Sequence, residues 1–168
     1  MFQQTICLVV RGEEVLLGIK NTGFDGGLGI GRWNGYGGHI ESGETIRRTS
    51  VRETEEESAL ITREEDLIPA CHLIFVFAGK PKVECWIFIA KEWQGEPKDT
   101  KEMRSHAWFH CGCLPYVDEK GNLTMWPADR FWMPQVIRGA KLNGKIYFDE
   151  RGNEVLRVEL KEVESLDF

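Results

Sequence analysis

No stretch of this chain stays apolar for the roughly 20 residues that a bilayer-spanning helix requires. Residues 1–10 also lack the basic start and long apolar run of an export signal. Both absences point to a cytoplasmic protein with no membrane partner. Basic charge is short as well: 21 Lys and Arg stand against 27 Asp and Glu, a formal net charge of −6. A surface that tracks duplex nucleic acid needs clustered cations, so that partner is not expected. The glycine-rich residues 23–31 fit neither G-x-x-x-x-G-K-[ST] nor G-x-G-x-x-G, which removes the P-loop and Rossmann readings. The five cysteines (Cys7, Cys71, Cys85, Cys111 and Cys113) are an odd number and read as reduced cytosolic thiols. His106, His110, Cys111 and Cys113 miss the paired spacing of a zinc site and are assigned structural roles. Internal repeats and low-complexity linkers are lacking too, and 168 residues is one domain's length, so 1–168 is expected to form a single domain.

What is present is a series of short strand-like runs around two helical segments. Residues 5–10 and 15–19 flank a turn-like R-G-E-E and predict a hairpin. Residues 33–40 look extended. Residues 45–58 contain no Gly or Pro and carry few apolar side chains, which predicts a helix buried along a narrow face. Residues 67–78 and 83–90 are β-branched and aromatic, and the G-K-P-K between them predicts a second hairpin. A short strand is expected at 107–109, a helix at 126–142, and a closing hairpin from 145–148 and 154–160. Strands outnumber helices, and the class is α+β, or a three-layer α/β/α sandwich.

The most informative stretch is residues 38–60. In a helix, Glu53, Glu56 and Glu57 stand at i, i+3 and i+4 on one face. At about 4 Å and an effective dielectric near 20, each like-charge pair costs roughly 4 kcal/mol, so the cluster implies counter-cations. Oxygen-only donors suit Mg²⁺ or Mn²⁺, with substrate phosphates as further ligands. Taken alone, an E-x-x-E-E string reads as a solvated acidic helix face, and the flanking residues change that reading.

Here the sequence resembles the Nudix hydrolase family. Its box runs Gly, five residues, Glu, seven residues, Arg-Glu, an aliphatic, any residue, Glu-Glu, any residue, Gly, an aliphatic. Gly38, Glu44, Arg52, Glu53, Glu56, Glu57 and Leu60 fall in register, while Thr54 stands where an aliphatic is usual and Ala59 where the family has glycine. Residues 16–20, Gly23-Phe24, residues 31–38, Glu102-Met103-Arg104, Met125-Trp126-Pro127 and Trp132 extend the resemblance to one branch, the MutT homologues that hydrolyse oxidised purine nucleoside triphosphates such as 8-oxo-dGTP. Residues 25–30 lengthen the loop before Gly31.

The resemblance implies a Nudix-type α/β/α sandwich with a mixed and antiparallel sheet. It implies metal binding by Glu53, Glu56, Glu57, Glu102 and the Gly38 carbonyl, with Arg52 orienting a glutamate and Glu56 or Glu102 as general base. Asn34 and Asp129 would read the base, Trp126 would stack on it, Phe24, Phe75 and Phe77 would wall it, and Lys20 would meet phosphate. Glu44 is either a family functional residue or simply a helix-start carboxylate. Where relatives carry adjacent aspartates after Trp-Pro, this chain has Ala128-Asp129. The implied activity is a Mg²⁺- or Mn²⁺-dependent, monomeric pyrophosphohydrolase. The alternatives are a Nudix hydrolase of another nucleoside diphosphate derivative such as ADP-ribose, and a non-catalytic nucleotide sensor.

Overall fold

The computed structural model describes residues 1–24 and 26–168. Asp25, the first residue of the lengthened loop, lies outside the described residues. β1 (Phe2–Arg11) and β2 (Glu14–Lys20) form the first hairpin, and β3 (Trp33–Asn34) precedes α1 (Ile46–Ser58). A 3₁₀ turn at Glu64–Asp66 leads to β4 (Ile68–Phe77) and β5 (Lys80–Ala90). Then follow β6 (Met103–His110), α2 (Asp129–Ile137), β7 (Leu142–Phe148) and β8 (Val155–Glu162).

One mixed sheet runs in the order β3-β2-β1-β5-β4-β7-β8, with β6 paired to β2. The hairpins are antiparallel, whereas β1 lies parallel to β5 and β4 parallel to β7. Period-two alternation sorts β1 between two cores. Ile6, Leu8 and Val10 pack in the cluster that contains Trp132, Met133, Val136 and Ile137 of α2. Cys7 and Val9 pack in the cluster that Ile46 and Val51 of α1 close. The helices therefore cover opposite faces of the sheet, the α/β/α arrangement expected from the sequence.

Several element boundaries differ from the sequence reading: β6 runs Met103–His110 rather than 107–109, and β1 and β7 each begin three residues earlier than expected. The turn between β4 and β5 is Ala78-Gly79, both at positive φ (48° and 75°), so the strand resumes at Lys80 rather than after Lys82. Two consecutive positive-φ residues suit a tight hairpin turn. Residues 33–40 form a strand only at Trp33–Asn34, and the remainder is tied to β1 by single bridges at Tyr36 and His39. The second helix is shorter than residues 126–142: it begins at Asp129 after a Trp126 turn and ends before Gly139, whose φ of 101° breaks helical geometry.

Candidate active site

α1 carries the carboxylates, and its ends explain its position. Thr45 caps the N-terminus, its side chain accepting from the Arg48 N–H at 3.1 Å. Ala59 ends the helix in the left-handed region at φ 64°, its N–H donating to the Glu55 carbonyl. The face against β1 is polar rather than aliphatic: Thr49, Ser50, Thr54 and Ser58 are buried. Thr54, the residue in the aliphatic position of the box, donates its hydroxyl to the Ser50 carbonyl at 2.7 Å, which removes the cost of an unpaired buried hydroxyl.

The three helix glutamates divide. Glu53 and Glu57 are buried, and with Glu102, just before β6, they bring carboxylate oxygens within 4.8 Å of one another. Glu56 turns outward, half-exposed, onto Arg52 at 3.0 Å. The expected convergence of all three is thus a convergence of two with Glu102, because Arg52 draws the third charge away from its neighbours. Glycine at 38 leaves room for the Glu53 carboxylate in its observed place, since a Cβ there would lie 2.5 Å from one of its oxygens and displace it. The Gly38 carbonyl accepts the Thr5 N–H at 3.0 Å, and a second lone pair remains.

Electrostatics match the geometry. Burial pushes the Glu57 carboxyl up to about 7, opposed by Lys20 and by the Gly37 N–H, which donates to it at 2.8 Å. Burial likewise raises Glu53, with Arg52 opposing. Lys20, expected at a phosphate, donates in this structure to Glu57 and to the Gly37 carbonyl. Three hard oxygen donors with a cation already drawn to them suit a divalent metal of the Mg²⁺ class.

Arg52 spends all five of its N–H donors. It holds Glu44 with two bonds of 2.8 Å, Glu53 at 2.8 Å, Glu56 at 3.0 Å and the His39 carbonyl at 3.2 Å. Arg52 holds the Glu44 carboxyl down at about 2. Glu44 therefore acts here as the anchor of Arg52, and the pair fixes the loop before α1 against the helix.

Beside the carboxylate cleft lies a pocket lined by Phe24, Asn34, Phe75, Phe77, Trp126 and Asp129, together with Gln4, Ile6, Val83, Ala128, Trp132 and Phe148. All six residues expected to contact a base are thus brought together. Phe75 and Phe77 share one face of β4, as alternation requires. Asp129 is buried. Its Oδ1 accepts the Trp132 indole N–H at 3.2 Å, and Oδ2 has no partner among the described residues. Desolvation lifts this carboxyl to about 7, opposed by the Trp132 bond. Trp126 is itself engaged: the Arg32 guanidinium stands 4.2 Å from its ring centroid and Phe24 stacks at 5.7 Å with planes 30° apart.

Residues outside the box complete the site. Thr100 accepts the N–H groups of Glu102 and Met103 at 3.3 and 3.2 Å and donates to the Glu57 carbonyl at 3.3 Å, tying the Glu102 loop to α1. No sequence signal marks Thr100. Gln4 is marked only by being polar on the face of β1 that Ile6 and Leu8 occupy. The four residues weighed for zinc do not assemble. His106 bonds the Tyr36 hydroxyl at 2.8 Å, whereas His110 and Cys111 gather with Glu13, to which Arg138 donates at 2.9 Å.

A buried carboxylate cleft thus opens beside an aromatic pocket on an α/β/α frame. The NUDIX domain model matches residues 1–129, and the chain belongs to the Nudix hydrolase family. It is 36% identical over 162 residues to the mouse "Oxidized purine nucleoside triphosphate hydrolase", covering 96% of this chain and 95% of that protein. It is 36% identical over 164 residues to the Danio rerio protein of the same name, covering 96% of each. Among solved structures, a MutT protein from Bacillus halodurans superposes with a TM-score of 0.72 at 24% identity, over 95% of this chain and 97% of that one, a likeness of fold.

Proposed function

We propose that this Nudix hydrolase converts oxidised purine nucleoside triphosphates, with 8-oxo-dGTP as the type, to the monophosphate and pyrophosphate, clearing damaged nucleotides from the pool. The observation that carries the reading is the buried, half-partnered Asp129 facing an aromatic pocket that opens into the Glu53, Glu57 and Glu102 cleft. A carboxylate accepts from the ring N–H and amino group of a guanine-like edge, and Asn34 adds amide donors. The relatives named for oxidised purine triphosphates over nearly their whole length support the same assignment.

Glu53, Glu57 and Glu102 would hold Mg²⁺, or Mn²⁺, with Glu56 and the Gly38 carbonyl at its margin. Such an ion offsets charge on transferring phosphates and acidifies bound water. Arg52 fixes the direction of Glu53 and Glu56, which preorganises the carboxylates before substrate arrives. Glu102 or Glu56 takes the proton of the attacking water. Lys20, paired with Glu57, would offer positive charge to the phosphates. The aromatic walls exclude water around the base, and residues 1–168 act as one domain on free nucleotide.

The reading places the enzyme in the cytosol as a monomer, without duplex nucleic acid or membrane as partner. The five free cysteines support a reducing compartment, and the net charge of −6 weighs against duplex nucleic acid. Among the described residues no helix is long and apolar enough to cross a membrane. Chromatographic product analysis with 8-oxo-dGTP, dGTP, 2-hydroxy-dATP and ADP-ribose tests the proposal. Release of 8-oxo-dGMP and pyrophosphate is expected. Hydrolysis of ADP-ribose alone, or binding without turnover, would overturn it.

A further inference from the structure

Gln4 breaks the pattern of the strand it sits on. Alternation along β1 places its side chain on the face of Ile6 and Leu8, which are buried in the apolar core under α2. Its amide nitrogen donates to the Cys85 sulfur at 3.7 Å, a weak acceptor, and its Oε1 has no partner among the described residues. The backbone beneath it is clamped on both edges: Gln4 pairs with Cys85 of β5 on one side and bridges to His39 on the other.

Gln4 also occupies a particular place. It borders both the aromatic pocket and the carboxylate cleft, as do Ile6, Phe24, Asn34, Val83 and Trp126. Of these six, only Gln4 and Asn34 are polar. The Asn34 Oδ1 already accepts the Gly35 N–H at 3.0 Å, whereas the Gln4 Oε1 accepts nothing among the described residues, so Gln4 offers the unengaged acceptor. A nucleoside triphosphate with its base in the pocket and its phosphates at the carboxylates lays its sugar across this junction, because the sugar is the covalent link between them. The sugar presents hydroxyl donors.

We propose that Gln4 is a sugar-reading residue, its Oε1 accepting a hydrogen bond from a ring hydroxyl of the bound nucleotide, an assignment that rests on the nucleoside triphosphate reading above. Asn34 then serves the base and Gln4 the sugar. A methionine at this position keeps the length and suits the apolar face while removing the acceptor.

The test is a substrate and variant cycle: kcat/KM for 8-oxo-dGTP and for its 2′,3′-dideoxy analogue, on wild type and Gln4→Met, with thermal unfolding of both proteins. The expected result is a three- to tenfold loss for 8-oxo-dGTP in Gln4→Met, the scale of one net hydrogen bond. For the dideoxy analogue the wild-type to variant ratio should be close to one, and the Tm of Gln4→Met should not be lower than that of wild type. Equal losses for the two nucleotides, or none for either, would overturn the sugar assignment while leaving the enzyme's activity standing. Turnover of neither nucleotide by wild type would overturn the nucleoside triphosphate reading, and the sugar assignment with it.

Discussion

Asp129 is where composition, burial and chemistry meet in one side chain. Its carboxyl is raised to about 7 by desolvation, so its proton is held in the folded state and released in the unfolded state between about pH 4 and 7. Folding stability should therefore fall as pH rises through that window, at up to about 1.4 kcal/mol per pH unit. Asp129→Asn should flatten the decline, and chemical denaturation at pH 4.5 and 7.5 reads it directly. On the proposed function, substrate recognition should run with the opposite sign, since a guanine-like edge donates and needs the ionised carboxylate. Asp129 itself was legible in the sequence through the Trp-Pro-Ala-Asp stretch. Its half-satisfied state was not, because the partner on Oδ1 is Trp132 three residues along a helix that had first to be placed. Thr100 was illegible for a related reason: its function is a set of bonds between a loop and α1, and no spacing rule encodes them.

α1 was the most legible element, since the box fixes its register, and its ends suggest how it is tuned. Ala59 sits in the left-handed region, where a Cβ costs roughly 1–2 kcal/mol. Ala59→Gly should stabilise the protein by about 1 kcal/mol and raise Tm by about 2–4 °C, the shift expected for a chain of this size. An unchanged or lowered midpoint in calorimetry would refute that account of the helix end. At the other end, the Glu44 to Arg52 clamp holds the Glu44 carboxyl at about 2, below its usual value. Its contribution is present above about pH 4.5 and is lost as pH falls toward 2. Glu44→Gln should remove that part of the acid sensitivity and reduce turnover together, since Arg52 would lose its bidentate partner and release Glu53. Titration of the acid-unfolding midpoint beside kcat separates the two effects. Of the boundaries that the sequence misplaced, those at Ala78-Gly79 and at Gly139 were set by positive-φ backbone, which residue type alone only hints at.

At the scale of the whole molecule, the parallel pairing of β1 with β5 is what joins the two halves of the site. It sets Gln4 beside Cys85, and the β4–β5 hairpin brings Phe75 and Phe77 across to face Trp126 and Asp129. That long-range register is invisible to local pattern, although the strands it connects were legible. The central claim is that carboxylate cleft and aromatic pocket act on one substrate. It is tested most directly by steady-state hydrolysis of 8-oxo-dGTP and dGTP at saturating Mg²⁺ by wild type, Glu57→Gln and Asp129→Ala. Wild type should favour 8-oxo-dGTP and lose activity in EDTA. Glu57→Gln should lower kcat on both nucleotides by at least about a hundredfold, and Asp129→Ala should lower kcat/KM for 8-oxo-dGTP by about ten- to a hundredfold. Equal turnover of the two nucleotides by wild type, left unchanged by Asp129→Ala, would contradict the account.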